Sequence, residues 1–194
     1  MILALNIGNS NITFGGYTPD GKLVFSSRLF ADTALSSDEL LYKIVNMLAL
    51  YGAEPQQITA VIFSSVVPPI NFMMTKALTR LLGEPHMVVG PGVNTGLNIR
   101  MEVHNQLGAD LVANAVAALE KYAPPIIMID MGTATTIAVI DDGNAFLGGA
   151  VLPGLRISAE ALSSRGSSTV SVVRRANSVT VIVFIVVDLG ERPL

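Results

Sequence analysis

Along this chain apolar residues first alternate with polar or small ones, then recur at helical spacing, and the exchange repeats for most of its length. Ile2–Leu5 and Asn11–Gly16 read as the arms of a hairpin, continued by a strand over Lys22–Leu29 after the turn Pro19-Asp20-Gly21. Ser36 and Glu39 have capping-box spacing, in which hydroxyl and carboxylate satisfy free amides at a helix start. Leu40, Leu41, Ile44, Val45 and Leu48 follow at helical spacing, and Gly52 ends that helix. Ala60–Val66 is an apolar run of strand length, punctuated by Pro68 and Pro69. The pattern then predicts a helix over Asn71–Leu82 stopped at Gly83, a buried strand over His86–Gly90, and a polar, glycine-rich loop over Pro91–Met101. Gly108–Tyr122 predicts a helix whose small residues permit close packing; Pro124 and Pro125 break it, and Ile126–Asp130 is another buried strand. Strands alternating with helices predict an α/β architecture.

One stretch repeats. "LALNIGNSNITF" from Leu3 aligns without a gap with "IMIDMGTATTIA" from Ile127, so that Asn6 matches Asp130 and Gly8 matches Gly132. Each copy leads to a turn, Pro19–Gly21 or Asp141–Gly143, and then to another apolar strand. The spacing is far longer than a solenoid period and predicts a duplicated domain. The expected division is 1–107 and 108–194, each half opening on a strand, a glycine turn and a strand.

Composition narrows the class. The 194 residues are 51% hydrophobic and 14% charged, enough for a sizeable core. A net charge of −3 without a basic run argues against nucleic acid as a partner. Lacking cysteine, the chain has no disulfides or thiolate metal sites. "MILALNIGNSN" has no basic segment or small-residue cleavage site, so no signal peptide is read there. The late apolar run Val179–Val187 is shorter than the about 20 residues of a membrane helix. A cytoplasmic protein without membrane partners is expected.

Candidate chemistry lies at the turns. Gly8, Asn9, Ser10 and Asn11 can aim backbone N–H groups and side-chain donors at a phosphate, and Gly132–Thr136 offers the same with three threonine hydroxyls. No Walker lysine is present. Asp110 suits either a helix start, where it complements the dipole, or a general base taking a proton from a substrate hydroxyl. Asp130 ends an apolar strand, where a carboxylate needs a partner or a cation. His86 and His104 are too few for a metal site, and the methionines read as core filler. "GGAVLPG" (Gly148–Gly154) reads as a bend lying against a nucleotide or as a turn before a helix.

These residues resemble a known family. "LNIGNSNITFGGY", "GAD" before "VANAVAA", "IDMGTATTIAVI" and "FLGGAVLPGLRISAEAL" are similar to type III pantothenate kinases, over Met1 to about Ser164. The resemblance implies duplicated actin-like (ribonuclease H-like) ATPase domains, the second one shortened here, that clamp ATP in a cleft. It implies phosphorylation of pantothenate by ATP, the first step of coenzyme A synthesis, with a divalent cation such as Mg2+, a monovalent cation such as K+, and a homodimer. Carried over by position, Asn6, Ile7, Gly8, Asn9, Ser10, Asn11, Ile12 and Thr13 match the first ATP-binding turn and Thr133 a second ATP contact. Asp110 matches the proton acceptor, and Met101, Gly108, Ala109, Asp110 and Leu111 the pantothenate-binding positions. Asp130 matches the monovalent-cation ligand. Asn6 stands where the family has aspartate, Leu111 where it has arginine, and Met101 where it has tyrosine, and no match continues beyond Ser164. Two main readings stay open: an active kinase, and a nucleotide-binding homologue that has lost the chemistry. A third is a folding-impaired fragment.

Overall fold

The computed structural model describes residues 1–83, 86–90, 93–101, 107–165 and 182–185. Its elements run β1 (Ile2–Ile7), β2 (Asn11–Tyr17), β3 (Leu23–Phe30), α1 (Ser37–Leu50), a single 3-10 turn (Pro55–Gln57), β4 (Ala60–Ser65), α2 (Pro68–Leu82), β5 (His86–Val89), β6 (Asn98–Ile99), α3 (Ala109–Lys121), β7 (Ile126–Met131), β8 (Ala134–Ile140), β9 (Ala145–Pro153), α4 (Leu155–Arg165) and β10 (Ile182–Ile185). They form two compact units, one of Met1–Val93 with Gly108–Ala113, the other of Asn94–Leu107 with Asn114–Leu194. The α/β class and the duplicated hairpin expected from the sequence are both present.

The first unit holds a five-stranded sheet in the order β3-β2-β1-β4-β5. β1 pairs antiparallel with β2 and parallel with β4, a mixed sheet whose parallel part needs the α1 crossover. Leu3, Leu5 and Ile7 of β1 and Ile12 and Phe14 of β2 are buried with Leu40, Ile44 and Leu48 of α1 and Ile70, Met74 and Leu78 of α2. The capping box is formed: the Ser36 hydroxyl accepts from the Glu39 N–H at 3.3 Å, and the Glu39 carboxylate accepts from the Ser36 N–H at 2.8 Å. That N–H, with the Ser36 hydroxyl, holds the Glu39 carboxyl below its usual range. Pro68 and Pro69 open α2 instead of preceding it, because the first helical turn needs no N–H donor there. β5 lies at the sheet edge and leaves Met87 54% exposed, so it is less buried than its apolar sequence suggests.

The second sheet has the order β10-β7-β8-β9-β6. β10, from the run Val179–Val187, pairs antiparallel with β7. The other residues of that run, like His104, lie outside the described residues. Its buried cluster joins Ala115 and Ala118 of α3 to Ile126 and Met128 of β7, Ala138 and Ile140 of β8, and Phe146 of β9. The small residues of α3 thus serve the close packing expected of them.

The two copies differ in two ways. Asn6 pairs with Thr13 but Asp130 pairs with Thr136, so the second turn is one residue shorter than the ungapped alignment implies. The buried residues of β7 are Ile126 and Met128, which align with Ile2 and Ala4, not with the buried Leu3 and Leu5 of β1. A strand apolar on both faces can serve either, and the helix packed against it decides which. Gly148–Pro153 is not a bend but part of β9, and only Gly154 stands as the turn before α4.

Candidate functional site

In the first unit the turn between β1 and β2 is pinned from several sides. Ile7 and Ile12 are buried and face each other across the hairpin. The Gly8 N–H donates to the Asn11 carbonyl at 2.9 Å, closing the turn, and the Ala31 N–H donates to the Ser10 carbonyl at 3.0 Å. Burial of the two isoleucines leaves Asn6 and Asn9 exposed and Gly8, Ser10, Asn11 and Thr13 half-buried at the end of the sheet.

Asn6 has a partner that the sequence did not single out. In the parallel register of β1 and β4 it lies beside Ser64, whose hydroxyl donates to the Asn6 Oδ1 at 2.9 Å. The signal was a serine inside the apolar run "AVIFSSV", a polar group that needs an acceptor once buried.

Two residues beyond Ser64, the Val66 N–H donates to the Ile7 carbonyl at 3.0 Å, and the Val66 side chain lies near Gly108, just before α3. A Cβ on Gly108 would stand 3.4 Å from the Val66 Cγ1 and would collide with the Asp110 carboxylate. Gly108 is therefore glycine so that Asp110 can fold back at the helix start. Its Oδ1 accepts from the Leu111 N–H at 2.8 Å. The helix dipole favours a carboxylate at that place. The carboxylate ends of the parallel strands β1 and β4 are where open α/β sheets bind ligands. The structure thus places Gly108 and Asp110, with Ala109 and Leu111 as their chain neighbours, in the same compact unit as the turn after β1.

The second unit holds the remaining candidates. The Gly132 N–H donates to the Ala134 carbonyl at 2.9 Å, and Thr133 is exposed at the tip. The Gly154 N–H donates to the Thr133 carbonyl at 3.1 Å, and a Cβ on Gly154 would run into the carbonyls of Gly132 and Thr133. Gly154 therefore lets the start of α4 lie directly on this turn. Asp130 is half-buried, and its Oδ2 accepts from the Asn114 side-chain amide at 3.4 Å. Asn114 was also missed, though it lies one helical turn after Asp110. Met101 packs against the buried cluster of its unit.

Among the described residues no group of three His, Asp or Glu side chains gathers as a metal site. No described helix is long and apolar enough to cross a membrane.

Comparison with known proteins adds a family. A family model described as type III pantothenate kinase matches residues 2–183, so the family match runs past Ser164, where it was expected to stop. A protein named type III pantothenate kinase from Listeria welshimeri is 42% identical over 167 residues, covering 86% of this chain and 64% of the relative. One of the same name from Brevibacillus brevis is 38% identical, covering 86% and 65%. The chain thus spans a little under two thirds of the length of these relatives. A solved structure from Campylobacter jejuni, described as a conserved Baf family transcriptional activator, aligns with a TM-score of 0.52 at 19% identity. It covers 85% of this chain and 61% of that one, a likeness of fold alone.

Proposed function

The chain belongs to the type III pantothenate kinase family, and from that premise we propose that it phosphorylates pantothenate with ATP, at the entry to coenzyme A synthesis. The pantothenate hydroxyl oxygen bonds to the terminal phosphorus as the bridging P–O bond to ADP breaks. Asp110 takes the hydroxyl proton. The observation that supports this reading is the Asp110 carboxylate held back on the Leu111 N–H at the start of α3, in the same compact unit as the glycine turn after β1.

Each residue has a role in this reading. Asn6–Thr13 offers donors to nucleotide phosphate, with Thr133 as a second contact, while Gly108, Ala109, Leu111 and Met101 bind pantothenate. Magnesium, the divalent ion of this reading, commonly binds through substrate phosphates with few protein ligands, and would supply charge neutralisation at the phosphoryl oxygens. Asp130, a hard oxygen donor at a strand end, suits a monovalent cation, potassium by family membership. The homodimer, the cytoplasmic location and a functional division at 107/108 belong to the same proposal.

The second reading, a nucleotide binder without transfer activity, is favoured by Asn6, which puts a neutral amide where a carboxylate would balance a cation. Asp110→Asn separates the two. Pantothenate-dependent ADP release in the starting protein, abolished in the variant with ATP binding retained, supports the kinase, because a general base is needed only for transfer. Unchanged turnover in the variant removes Asp110 from the role of base. ATP binding with no pantothenate-dependent ADP release in the starting protein favours the binder.

A further inference from the structure

We propose that Ser64 is a positioning residue: it holds the Asn6 amide with Oδ1 inward and Nδ2 outward, making the first turn a phosphate donor that works without a divalent cation. The inference rests on reading that turn as a nucleotide site and goes beyond it in assigning the polarity of its first side chain.

Ser64 is the buried polar residue among the described residues, 7% exposed, on a strand otherwise apolar toward the core. A hydroxyl in that setting needs an acceptor, and the Asn6 Oδ1 at 2.9 Å supplies it. The parallel pairing of β1 with β4 sets Asn6 and Ser64 side by side, so the contact follows from sheet register and does not depend on a mobile loop. Asn6 itself is exposed, and among the described residues its Nδ2 has no hydrogen bond.

The two ends of an amide differ, whereas those of a carboxylate do not. Anchoring Oδ1 leaves two N–H donors directed away from Ser64. Donors suit a phosphate oxygen and repel a cation. An aspartate at the same place would accept from Ser64 equally well but present a negative oxygen. The Asn6–Ser64 pair therefore favours the anion itself, and its effect shows most when no metal shields the phosphates.

The test is a double-mutant cycle read by ATP affinity in EDTA and in excess magnesium, with urea unfolding measured in parallel. Asn6→Asp should weaken metal-free ATP at least about tenfold, as loss of a hydrogen bond to a charged group does, and weaken magnesium-ATP less. Ser64→Ala should weaken metal-free ATP about fivefold, because the freed amide can turn its oxygen outward. Added to Asn6→Asp, Ser64→Ala should have no further effect, since a carboxylate presents oxygen either way. A purely structural serine would instead give the same loss in both backgrounds, and that result overturns the inference alone. Absence of ATP binding in the starting protein would overturn the nucleotide reading and this inference together.

Discussion

Replacing Gly8 or Gly132 by alanine separates the fold from the proposed phosphate contact. A Cβ on Gly8 would meet the Asn11 carbonyl oxygen at 3.4 Å, and one on Gly132 the Ala134 carbonyl oxygen at 3.6 Å, both at van der Waals range. Neither glycine has a left-handed φ. Alanine fits these backbones, and the reduced freedom of the unfolded chain is worth about 0.4–1 kcal/mol in its favour. Stability should therefore change by no more than about 1 kcal/mol in either direction. Phosphate binding is more exposed to the change. Phosphate oxygens come to about 2.9 Å from the N–H groups that bind them, and on the proposed reading a methyl group on the turn would crowd that approach. Losing one charge-assisted hydrogen bond costs about 1.5–3 kcal/mol. At about 1.4 kcal/mol per decade, ATP affinity should fall roughly tenfold to a hundredfold. Calorimetric titration with ATP beside urea unfolding reads both quantities. Gly154→Ala is the contrasting control, because its Cβ meets backbone carbonyls of Gly132 and Thr133 that cannot swing aside. It should lose about 1–3 kcal/mol of stability, as overpacking does. If Gly8→Ala and Gly132→Ala both fold and bind ATP as before, phosphate does not rest on these turns and the reasoning fails.

Asn6→Asp should raise pantothenate-dependent turnover at saturating magnesium at least about tenfold, or about 1.4 kcal/mol of barrier, because magnesium prefers anionic oxygen ligands. A steady-state assay across magnesium concentrations checks this, and flat turnover in a folded variant would move the defect to Leu111. Potassium should raise ATP affinity or turnover relative to sodium, and Asp130→Asn should remove the difference. Identical behaviour in both salts with a silent Asp130→Asn returns Asp130 to a structural role.

What the sequence made legible was local. The Ser36–Glu39 box, the helical spacing from Leu40 to Leu48 and the stop at Gly52 each depend on residues within a few positions, and each formed as expected. Choices made by distant packing were not legible. β7 is apolar on both faces, so nothing local said that Ile126 and Met128 would be buried in preference to Ile127 and Ile129. The glycines of "GGAVLPG" suggested a bend because glycine is common in turns. In the structure Gly149 serves close approach, since a Cβ there would strike the backbone of Ile137 on β8. Just after Asp141–Gly143 the left-handed position falls on Asn144, at φ +61°, a place asparagine tolerates well. The candidate turns and Asp110 were visible from residue type. Their partners Ser64 and Asn114 were not, because each is defined by an element far away in the chain.

Those two partners show how the duplicated position has divided its chemistry. Asn6 and Asp130 occupy matching places at the ends of β1 and β7, and each accepts a hydrogen bond from a neutral side chain, the Ser64 hydroxyl and the Asn114 amide respectively. The Ser64 hydroxyl brings no charge to Asn6, so the character of that position is set by the amide. At Asn6 the accepted bond turns the oxygen toward Ser64 and leaves the amide donors outward, which suit an anion. At Asp130 the group holds acceptors only, which suit a cation. An exact duplication would give both places a carboxylate or both an amide, and so the same kind of recognition. If the first turn binds phosphate as proposed, the departure at Asn6 changes which charge that turn favours and leaves binding of the phosphate itself possible.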